Sequence, residues 1–446
     1  MSLKQEYQAK SVTAPQAVKV IKSGDWVDYS FALSQPVLLD QALAARKDEL
    51  KDVKIRGGFR LSPLAVVEAD PLREHFCYNS WHLSGYERQL SDRGLCNYIP
   101  MIYRNLPLYY RKSLEVDVAV LAVAPMDANG YFNFSLTNSA SKAITEQAGT
   151  VILEINRQLP VISGREDRIH IRDVDYLVEG DHPPLPVITP APADDIHRQI
   201  ARFIVREIKD GATLQLGVGA LPNAVGNMIA ESDLKNLGIH TEMLVDAYML
   251  LARAGKITNA LKNIDRGHSV FSFCAGSSDL YAWTAGNGSL LSVPVSYAND
   301  PYIMAQNEQL ITINNCVEID ILGQATAETA GSRQLSGTGG QLDFLTGGYS
   351  AQGGKSFICF TATFMDKKTG QMQSRIRPKL PHGSVVTDPR TQAHYFVTEW
   401  GVADLAGRST WERAERLISI AHPVFREELI RGAEALGIWR KSNKRP

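Results

Sequence analysis

Residues 116–124 read Val-Asp-Val-Ala-Val-Leu-Ala-Val-Ala, and residues 151–155 read Val-Ile-Leu-Glu-Ile. Both are short apolar runs rich in β-branched residues, which favours buried strands. Amphipathic segments alternate with such runs, and the clearest one, residues 194–210, carries an apolar residue on one helical face at Ile196, Ile200, Phe203, Ile204 and Ile208. Asp194 or Asp195 can cap its amino end, and Gly211 stands where a helix would stop. This alternation predicts an α/β fold with largely parallel sheets.

A proline-rich stretch divides the chain into two parts. Residues 181–193 read DHPPLPVITPAPA, and their five prolines remove backbone donors and disfavour helix at each preceding position. The stretch should therefore form a stiff, extended connection. We place a domain junction near residue 188, which gives an amino-terminal domain of residues 1–187 and a carboxyl-terminal domain of residues 188–446. Each is long enough to bury a core of its own.

Composition excludes several classes of protein. The chain has 446 residues, 44% of them apolar, and its 47 basic and 48 acidic residues give a formal charge of −1. Wholesale disorder is excluded, and a nucleic-acid binder would normally carry a basic surplus. The sequence has no apolar run long enough for a membrane span, no secretory signal and no metal-ligand spacing. Its five cysteines are widely separated and form no C-x-x-C pair, so we expect free thiols in a cytoplasmic protein. We expect no nucleic-acid partner and no membrane partner.

Residues 214–225 (LQLGVGALPNAV) predict a short strand, a Gly-x-Gly turn and a helix that runs through Met228. Two glycines let a ligand approach the backbone, and a helix start directs amides at an anion. The segment is not the dinucleotide fingerprint, because Pro222 occupies the place of the third glycine. A tight turn without a ligand explains this segment equally well when it is considered alone.

Two glycine clusters follow in the second half, at residues 336–344 (SGTGGQLDF) and 351–356 (AQGGKS). The second is not a phosphate-binding loop, because that motif needs glycine at position 349, where the chain has Tyr349. The clusters predict either loops that wrap around a ligand or sharp structural turns.

Residues 239–246 (IHTEMLVD) predict an apolar strand that delivers Glu242 among apolar neighbours. A carboxylate there is costly unless it lies near the strand end and is used. The alternative from this segment alone is a surface glutamate on an edge strand.

Taken in order, these motifs resemble the acetyl-CoA hydrolase/transferase family, especially its butyryl-CoA:acetate and 4-hydroxybutyrate CoA-transferases. The resemblance rests on GVGALPN, HTEM, SGTGGQLDF and AQGGKS, and extends to YNSWH at 78–82, to residues 387–405 and to LISIAHPVFR at 417–426. It implies two open α/β domains of CoA-transferase type, with the active site in the interdomain cleft, and a homo-oligomer.

The resemblance also implies the site. Glu242 would be the nucleophile, and backbone amides near Val218 and Gly340 would form the oxyanion hole. Coenzyme A would be a substrate rather than a bound cofactor, and no metal is implied. Its contacts would be Gly217, Val218, Gly219, Ala220, Leu221, Pro222, Asn223, Val317, Ser336, Gly340 and Gln352. Some relatives carry lysine in place of Gln352, so it is open whether Gln352 or Lys355 meets the coenzyme phosphates.

The implied reaction transfers coenzyme A from a short-chain acyl-CoA, of butyryl or 4-hydroxybutyryl type, to a carboxylate such as acetate. A carboxylate is a weak nucleophile, but a thioester is activated and its thiolate leaves well. The alternatives are a hydrolase that uses the same glutamyl intermediate, and a non-catalytic acyl-CoA-binding protein, against which Glu242 argues. A dehydrogenase is disfavoured by the interrupted dinucleotide fingerprint.

Overall fold

The computed structural model describes residues 2–189 and 192–438. The described residues form two units. Unit 1 comprises residues 2–189 together with Thr241–Val245 and His268–Asn299, and unit 2 comprises residues 192–240, 246–267 and 300–438. Residues 190 and 191 of the proline-rich stretch lie outside the described residues.

The strands and helices alternate along both units. In chain order the strands are β1 (Trp26–Phe31), β2 (Val53–Gly58), β3 (Phe76–Ser80), β4 (Asn97–Tyr98), β5 (Val118–Val123), β6 (Tyr131–Asn133), β7 (Thr150–Ile155), β8 (Arg168–His170), β9 (Tyr176–Glu179), β10 (Thr213–Leu216), β11 (Gly238–Ile239), β12 (Met243–Leu244), β13 (Ser269–Phe271), β14 (Phe273–Cys274), β15 (Leu290–Ser292), β16 (Leu310–Asn315), β17 (Glu318–Asp320), β18 (Ala325–Thr326), β19 (Thr329–Ala330), β20 (Arg333–Gln334), β21 (Lys355–Cys359), β22 (Thr363–Met365), β23 (Met372–Ser374), β24 (Ile376–Arg377), β25 (Tyr395–Thr398) and β26 (Gly401–Asp404). The α-helices are α1 (Leu3–Lys10), α2 (Ala14–Ala17), α3 (Val37–Ala44), α4 (Ala65–Ala69), α5 (Gly85–Asp92), α6 (Leu106–Lys112), α7 (Ser141–Gln147), α8 (Asp195–Val205), α9 (Ala220–Glu231), α10 (Asp246–Arg253), α11 (Ser278–Thr284), α12 (Val295–Ala298), α13 (Pro301–Met304), α14 (Gln341–Ser350), α15 (Thr410–Ser419) and α16 (Pro423–Ala435).

The main sheet of unit 1 runs in the order β4-β3-β2-β1-β5-β7-β9, and its paired strands are parallel. All six residues of β5 are buried, which explains the unbroken apolar run around residue 120, since a parallel strand is covered on both faces. The order in which the chain adds strands to the sheet reverses between β1 and β5, and ligands of open α/β sheets bind outside the carboxyl ends of the strands near such a point.

The main sheet of unit 2 runs in the order β11-β10-β16-β21-β25-β26 and is parallel except for the β25–β26 pair. Its core includes Ile319, Ile358 and Phe396, all with no exposed surface. The α/β class with largely parallel sheets is confirmed in both units.

Helix α8 begins where the sequence predicts and ends earlier. The Asp194 side chain accepts the backbone N–H of His197 at 2.9 Å, as expected of a capping residue. The helix ends at Val205 rather than near residue 210, because the amides of Glu207 and Ile208 bond three residues back in tighter turns.

The units differ from the predicted linear division into residues 1–187 and 188–446. The segment His268–Asn299 joins unit 1 through backbone hydrogen bonds, from Cys274 to the Leu136 carbonyl at 2.8 Å and from Val295 to the Ser139 carbonyl at 2.9 Å. The segment Thr241–Val245 joins through the pairing of β12 with β14. Glu242 therefore belongs to unit 1. A proline-rich boundary cannot predict such returns of the chain, because they depend on pairing between distant segments.

Candidate active site

Glu242 is held by backbone hydrogen bonds just before β12. Its carbonyl accepts the N–H groups of Ser272 at 2.9 Å and Phe273 at 3.2 Å, and β12 pairs in parallel with β14. The predicted apolar strand over residues 239–246 is thus interrupted at this residue, between β11 and β12. Its side chain is half-buried, which is not the surface position of the alternative interpretation.

The carboxylate of Glu242 is oriented by a buried asparagine. The Nδ2 of Asn299 donates a hydrogen bond of 2.6 Å to the Oε2 of Glu242. Asn299 follows α12 and has no exposed surface, and its Oδ1 is buried without a hydrogen-bond partner. Sequence reasoning missed Asn299, because an asparagine far along the chain carries no local signal.

An aromatic cluster in unit 1 lies at the carboxyl ends of β1, β2 and β3, and is defined here as Phe31, Phe59, Trp81, Tyr103 and Phe273. The ring of Phe31 is 5.9 Å from Phe59, 6.0 Å from Trp81, 5.1 Å from Tyr103 and 5.0 Å from Phe273, measured between centroids. Phe59 is half-buried, whereas the other four are buried. Three strand ends that are distant in sequence thus build one apolar wall.

Tyr103 connects this wall to the carboxylate. Its hydroxyl lies 2.6 Å from the Oγ of Ser139, and burial, followed by the negative charge of Glu242, raises the pKa of Tyr103 well above its usual range. The aromatic cluster and Glu242 are therefore neighbours in unit 1.

Unfavourable backbone geometry supports the same wall. Ser30 (φ 55°) and Ala32 (φ 45°) flank Phe31, and Phe59 itself has φ 52°. The left-handed region is unfavourable for residues with a Cβ, most of all for bulky ones, and such strain concentrates at functional sites. The strand ends are therefore shaped to present these rings.

His82 contacts the edge of the cluster and is uncharged. Its ring lies 5.7 Å from Phe59 and 6.5 Å from Phe31. Burial, with a smaller contribution from Arg88, lowers the pKa of His82 to about 4. The imidazole thus adds a polar but neutral group at physiological pH.

In unit 2 the Gly-x-Gly segment is the predicted strand–turn–helix. It joins β10 to α9, and Gly219 has φ 123°, a conformation open to glycine. The first intrahelical hydrogen bond runs from Asn223 to the Gly219 carbonyl at 3.2 Å, so the amides of Ala220 and Leu221 precede the helical ladder. Val218 is 46% exposed at this turn.

Two of the other predicted contacts, Val317 and Gly340, lie at the same edge of the unit 2 sheet. Val317 follows the carboxyl end of β16. Helix α14 returns to the amino end of β21, so its first residue, after Gly340, lies near the carboxyl edge. The backbone of Val317 is already bonded, with its N–H to Thr326 at 2.8 Å and its carbonyl to Arg375 at 2.6 Å, which leaves its side chain for a ligand.

The structure brings Gln352 and Lys355 together at the opposite edge. Gln352 lies in the turn before β21, where its carbonyl accepts the Gln309 amide at 2.8 Å. Lys355 pairs in register with Ile311, about three residues or roughly 10 Å along the strands from the level of Gly217. The Lys355 ammonium bonds the carboxylate of Glu207.

A cavity of about 150 Å³ opens at the carboxyl edge of the unit 2 sheet. Its lining includes Leu221 from the Gly-x-Gly helix, Cys316 and Cys359 from two strand ends, and the cation of Arg375. Sequence reasoning did not single out Arg375, whose position between two short strands gave no motif.

Among the described residues, no helix is long and apolar enough to cross a membrane.

Comparisons with known proteins agree with this architecture over the whole chain. Residues 1–189 match the acetyl-CoA hydrolase/transferase N-terminal domain, and residues 276–433 match the C-terminal domain of the same family. The chain is 50% identical to the butyryl-CoA:acetate CoA-transferase of Anaerostipes caccae, over 100% of both chains. It is 37% identical to the 4-hydroxybutyrate coenzyme A transferase of Clostridium kluyveri, over 96% of this chain and 98% of that one.

A solved structure gives the same result. The crystal structure of RipA from Yersinia pestis covers 98% of this chain and 100% of its own, with a TM-score of 0.91 and 35% sequence identity. The chain therefore belongs to the acetyl-CoA hydrolase/transferase family.

Proposed function

We propose that this protein is an acyl-CoA:carboxylate CoA-transferase, which moves coenzyme A between a short-chain acyl-CoA and a carboxylate such as acetate. The observation that carries the proposal is the half-buried Glu242 carboxylate, bonded to Asn299 at 2.6 Å beside an aromatic wall. The 50% and 37% identical relatives are named as CoA-transferases of butyryl and 4-hydroxybutyrate substrates. We therefore assign butyryl-CoA or 4-hydroxybutyryl-CoA with acetate as the substrate pair.

The proposed chemistry proceeds in two half-reactions through Glu242. Its carboxylate attacks the thioester carbonyl, the C–S bond breaks, and an acyl-glutamyl anhydride forms with free coenzyme A thiolate. The thiolate attacks the glutamyl carbonyl and releases the acid as a carboxylate, which leaves a glutamyl-CoA thioester. An incoming carboxylate reverses both steps, so atoms and charge balance without a redox partner.

Asn299 supports the nucleophilic role of Glu242. A hydrogen bond to one carboxylate oxygen fixes the rotamer of the side chain, and the productive attack geometry depends on such fixation. The Nδ2 of Asn299 can stay hydrogen-bonded to this oxygen when the glutamyl carbonyl carbon becomes tetrahedral.

The aromatic cluster favours an uncharged acyl chain. The half-buried ring of Phe59 supplies accessible apolar surface, with the four buried rings packed behind it, and His82 adds a neutral imidazole at the rim. A second carboxylate on the substrate would lose its hydration against this wall without gaining a cation from it. The proposal is therefore a short monocarboxylic acyl group.

Coenzyme recognition is assigned to unit 2. The amides of Val218 and Gly340 are proposed as oxyanion donors, each contributing about 3–4 kcal/mol to the transition state. The segment Gly217–Asn223, together with Val317 and Ser336, is proposed to contact the coenzyme. Gln352 stays a prediction of the resemblance, and the bond from Lys355 to Glu207 gives no support to Lys355 as a phosphate ligand.

A cytoplasmic location and a homo-oligomer complete the proposal, and both rest on the family resemblance. Light scattering on the eluted protein measures its mass in solution and tests the oligomer directly.

Steady-state kinetics test the transferase against the hydrolase that would use the same intermediate. Varying the acyl-CoA and acetate together should give parallel double-reciprocal lines. Intersecting lines, or equal turnover without an acceptor acid, would favour the hydrolase.

A further inference from the structure

Two buried carboxylates flank the glycine turn that precedes α14. Residues 336–340 form this turn, and Gly339 adopts φ 57° within it. On one side stands Asp388, with no exposed surface, and on the other Glu328, which is 3% exposed. Neither residue belongs to the motifs that suggested coenzyme contacts.

Asp388 binds the residue that follows Gly340. The Nε2 of Gln341 donates a hydrogen bond of 2.6 Å to the Oδ2 of Asp388, while the Oδ1 is buried without a hydrogen-bond partner. The backbone of Asp388 is itself fixed by paired hydrogen bonds with Ala325, both at 3.1 Å. Asp388 is therefore a rigid anchor for the first residue of α14.

Glu328 binds the other side of the turn. Its carboxylate accepts the hydroxyl of Thr338, 3.3 Å from each oxygen, and the hydroxyl of Thr387 at 3.0 Å. Its carbonyl accepts the Ser336 amide at 3.3 Å. The two residues between these anchors, Gly339 and Gly340, have no side chain to fix their own peptide planes.

We propose that Asp388 is a positioning residue for transfer: its ionised carboxylate, through Gln341, holds the Gly340 amide in the orientation that an oxyanion requires, with Glu328 holding the opposite side. The inference rests on the proposed function, because it assumes that Gly340 is an oxyanion donor. Oxyanion stabilisation depends on donors that are fixed in advance, which is what two buried anchors supply.

The charge of Asp388 changes near neutrality. Burial, with a smaller contribution from the charge of Glu328, raises the pKa of Asp388 to about 7 against the lowering effect of the hydrogen bond from Gln341. The Cys316 thiol also faces Asp388, and burial, followed by the charge of Asp388, raises the pKa of this thiol well above its usual range. A hydrogen bond to an ionised carboxylate is roughly twice as strong as one to a neutral acceptor. The hydrogen bond from Gln341 to Asp388 should therefore become stronger as pH rises through about 7.

The first test is the pH dependence of transfer in Asp388→Asn, which keeps the acceptor oxygen and removes the charge. Wild-type kcat should rise through about pH 7, whereas the variant should lose that rise and fall roughly tenfold below wild type at pH 8, with the KM for acyl-CoA changed less than about twofold. At pH 6 the two enzymes should differ little. If kcat of Asp388→Asn rose through about pH 7 as it does in wild type, the inference would be overturned.

Asp320→Asn is the matched control. Asp320 is also buried in unit 2, and its Oδ2 accepts an equally short bond, 2.6 Å from the Nε2 of Gln324. This pair joins the last residue of β17 to the turn that follows it, outside the glycine turn. The kcat of Asp320→Asn should keep the wild-type pH dependence. If Asp320→Asn also lost the rise of kcat through about pH 7, the loss would result from general destabilisation, and the role of Asp388 would be overturned.

A second measurement does not depend on activity. Hydrogen exchange of the amides of residues 339–342, corrected for intrinsic rates, should be about tenfold faster in Asp388→Asn than in wild type at pH 8, and similar at pH 6. Gln341→Leu, which removes the donor and keeps the carboxylate, should accelerate exchange at pH 8 as Asp388→Asn does. Unchanged exchange in both variants, in an enzyme that forms the glutamyl thioester, would overturn the positioning role alone. A wild-type enzyme that forms no such thioester would instead overturn the proposed function.

Discussion

The Nδ2 of Asn299 lies 2.6 Å from the Oε2 of Glu242, although 57 positions (299 − 242) separate the two residues in sequence. Both belong to unit 1, to which they return after the chain has entered unit 2. This hydrogen bond sets the orientation of the proposed nucleophile, and the predictions below start from it.

Replacement of Asn299 by alanine should lower kcat for transfer by about 10–100-fold, because a hydrogen bond to a charged group contributes roughly 1.5–3 kcal/mol. The KM for acyl-CoA should change little, since the coenzyme is assigned to unit 2. Asn287→Ala, which removes an asparagine from a turn of unit 1, is the control. Wild-type kcat in Asn299→Ala would show that the hydrogen bond has no catalytic role.

Glu242→Ala should abolish transfer, and Glu242→Asp should lose at least about a hundredfold, because the carboxylate withdraws by roughly 1 Å. Incubation of the wild type with acyl-CoA should leave a fraction heavier by one coenzyme A less one water. Borohydride reduction followed by peptide mapping locates the modified side chain. A thioester mapped to a residue other than Glu242 would refute the mechanism.

Phe59→Ala should shift acyl preference toward longer chains. Phe59 is the half-buried member of the aromatic cluster, so its truncation opens space at the rim. One methylene is worth about 1–3 kcal/mol in a hydrophobic pocket, so the ratio of kcat/KM for hexanoyl-CoA over butyryl-CoA should rise about tenfold or more. Leu72→Ala, at a side chain 76% exposed in unit 1, should leave the ratio unchanged. An unchanged ratio in Phe59→Ala would remove Phe59 from the acyl site.

His82 should make stability depend on pH below neutrality. Its pKa is lowered to about 4 in the folded protein, against about 6.5 when unfolded, so the unfolded chain binds more protons between those values. The free energy of unfolding should therefore rise with pH from about 4 to 6.5. Urea midpoints at pH 4.5, 5.5 and 7 should vary less in His82→Gln than in wild type, whereas the exposed His382→Gln should follow wild type. Equal pH dependence in His82→Gln and wild type would contradict the lowered pKa.

Gly219→Ala should weaken coenzyme A binding through the backbone. A Cβ at Gly219 would meet no atom within 4 Å, so the cost comes from φ 123°, which alanine rarely adopts. The turn should shift and misplace the amides that follow it, lowering affinity about tenfold by calorimetry. Gly370→Ala is the control, because Gly370 also has a positive φ and open space around it. Wild-type affinity in a folded Gly219→Ala protein would exclude this turn from the coenzyme site.

Local patterns in the sequence predicted the fold well. Strand β5 lies within the run at residues 116–124, and β7 begins one residue before the run at 151–155. Strand β10 begins one residue before the 214–225 segment, which includes the start of α9. Helix α14 was not predicted, because its first residues, 341–344, belong to the SGTGGQLDF cluster, which was expected to form a ligand loop or a turn; the helix also contains Gly347 and Gly348. The helix accepts them because a Cβ at Gly347 would lie 2.3 Å from the Met304 sulfur and one at Gly348 would lie 2.8 Å from the Thr312 hydroxyl.

Long-range geometry was the part that the sequence could not supply. Glu242 was predicted through the family motif, whereas Asn299 and the aromatic cluster come from chain segments that no local window connects. Phe31, Phe59 and Trp81 meet because three parallel strands end at one edge, which depends on strand order and register. Asp388 and Gln341 also come from chain segments that no local window connects.

The return of Thr241–Val245 and His268–Asn299 to unit 1 has a consequence for biosynthesis. A ribosome that has synthesised only residues 1–189 has not yet made the strands that hold the proposed nucleophile, Glu242, nor Asn299. Unit 1 can complete its hydrogen-bond pattern only after residue 299 emerges, by which time residues 192–240 and 246–267 of unit 2 have also been made. A gene fragment that ends near residue 189 should therefore yield a chain without a reactive carboxylate, and separately expressed halves should regain activity only if they exchange these two segments.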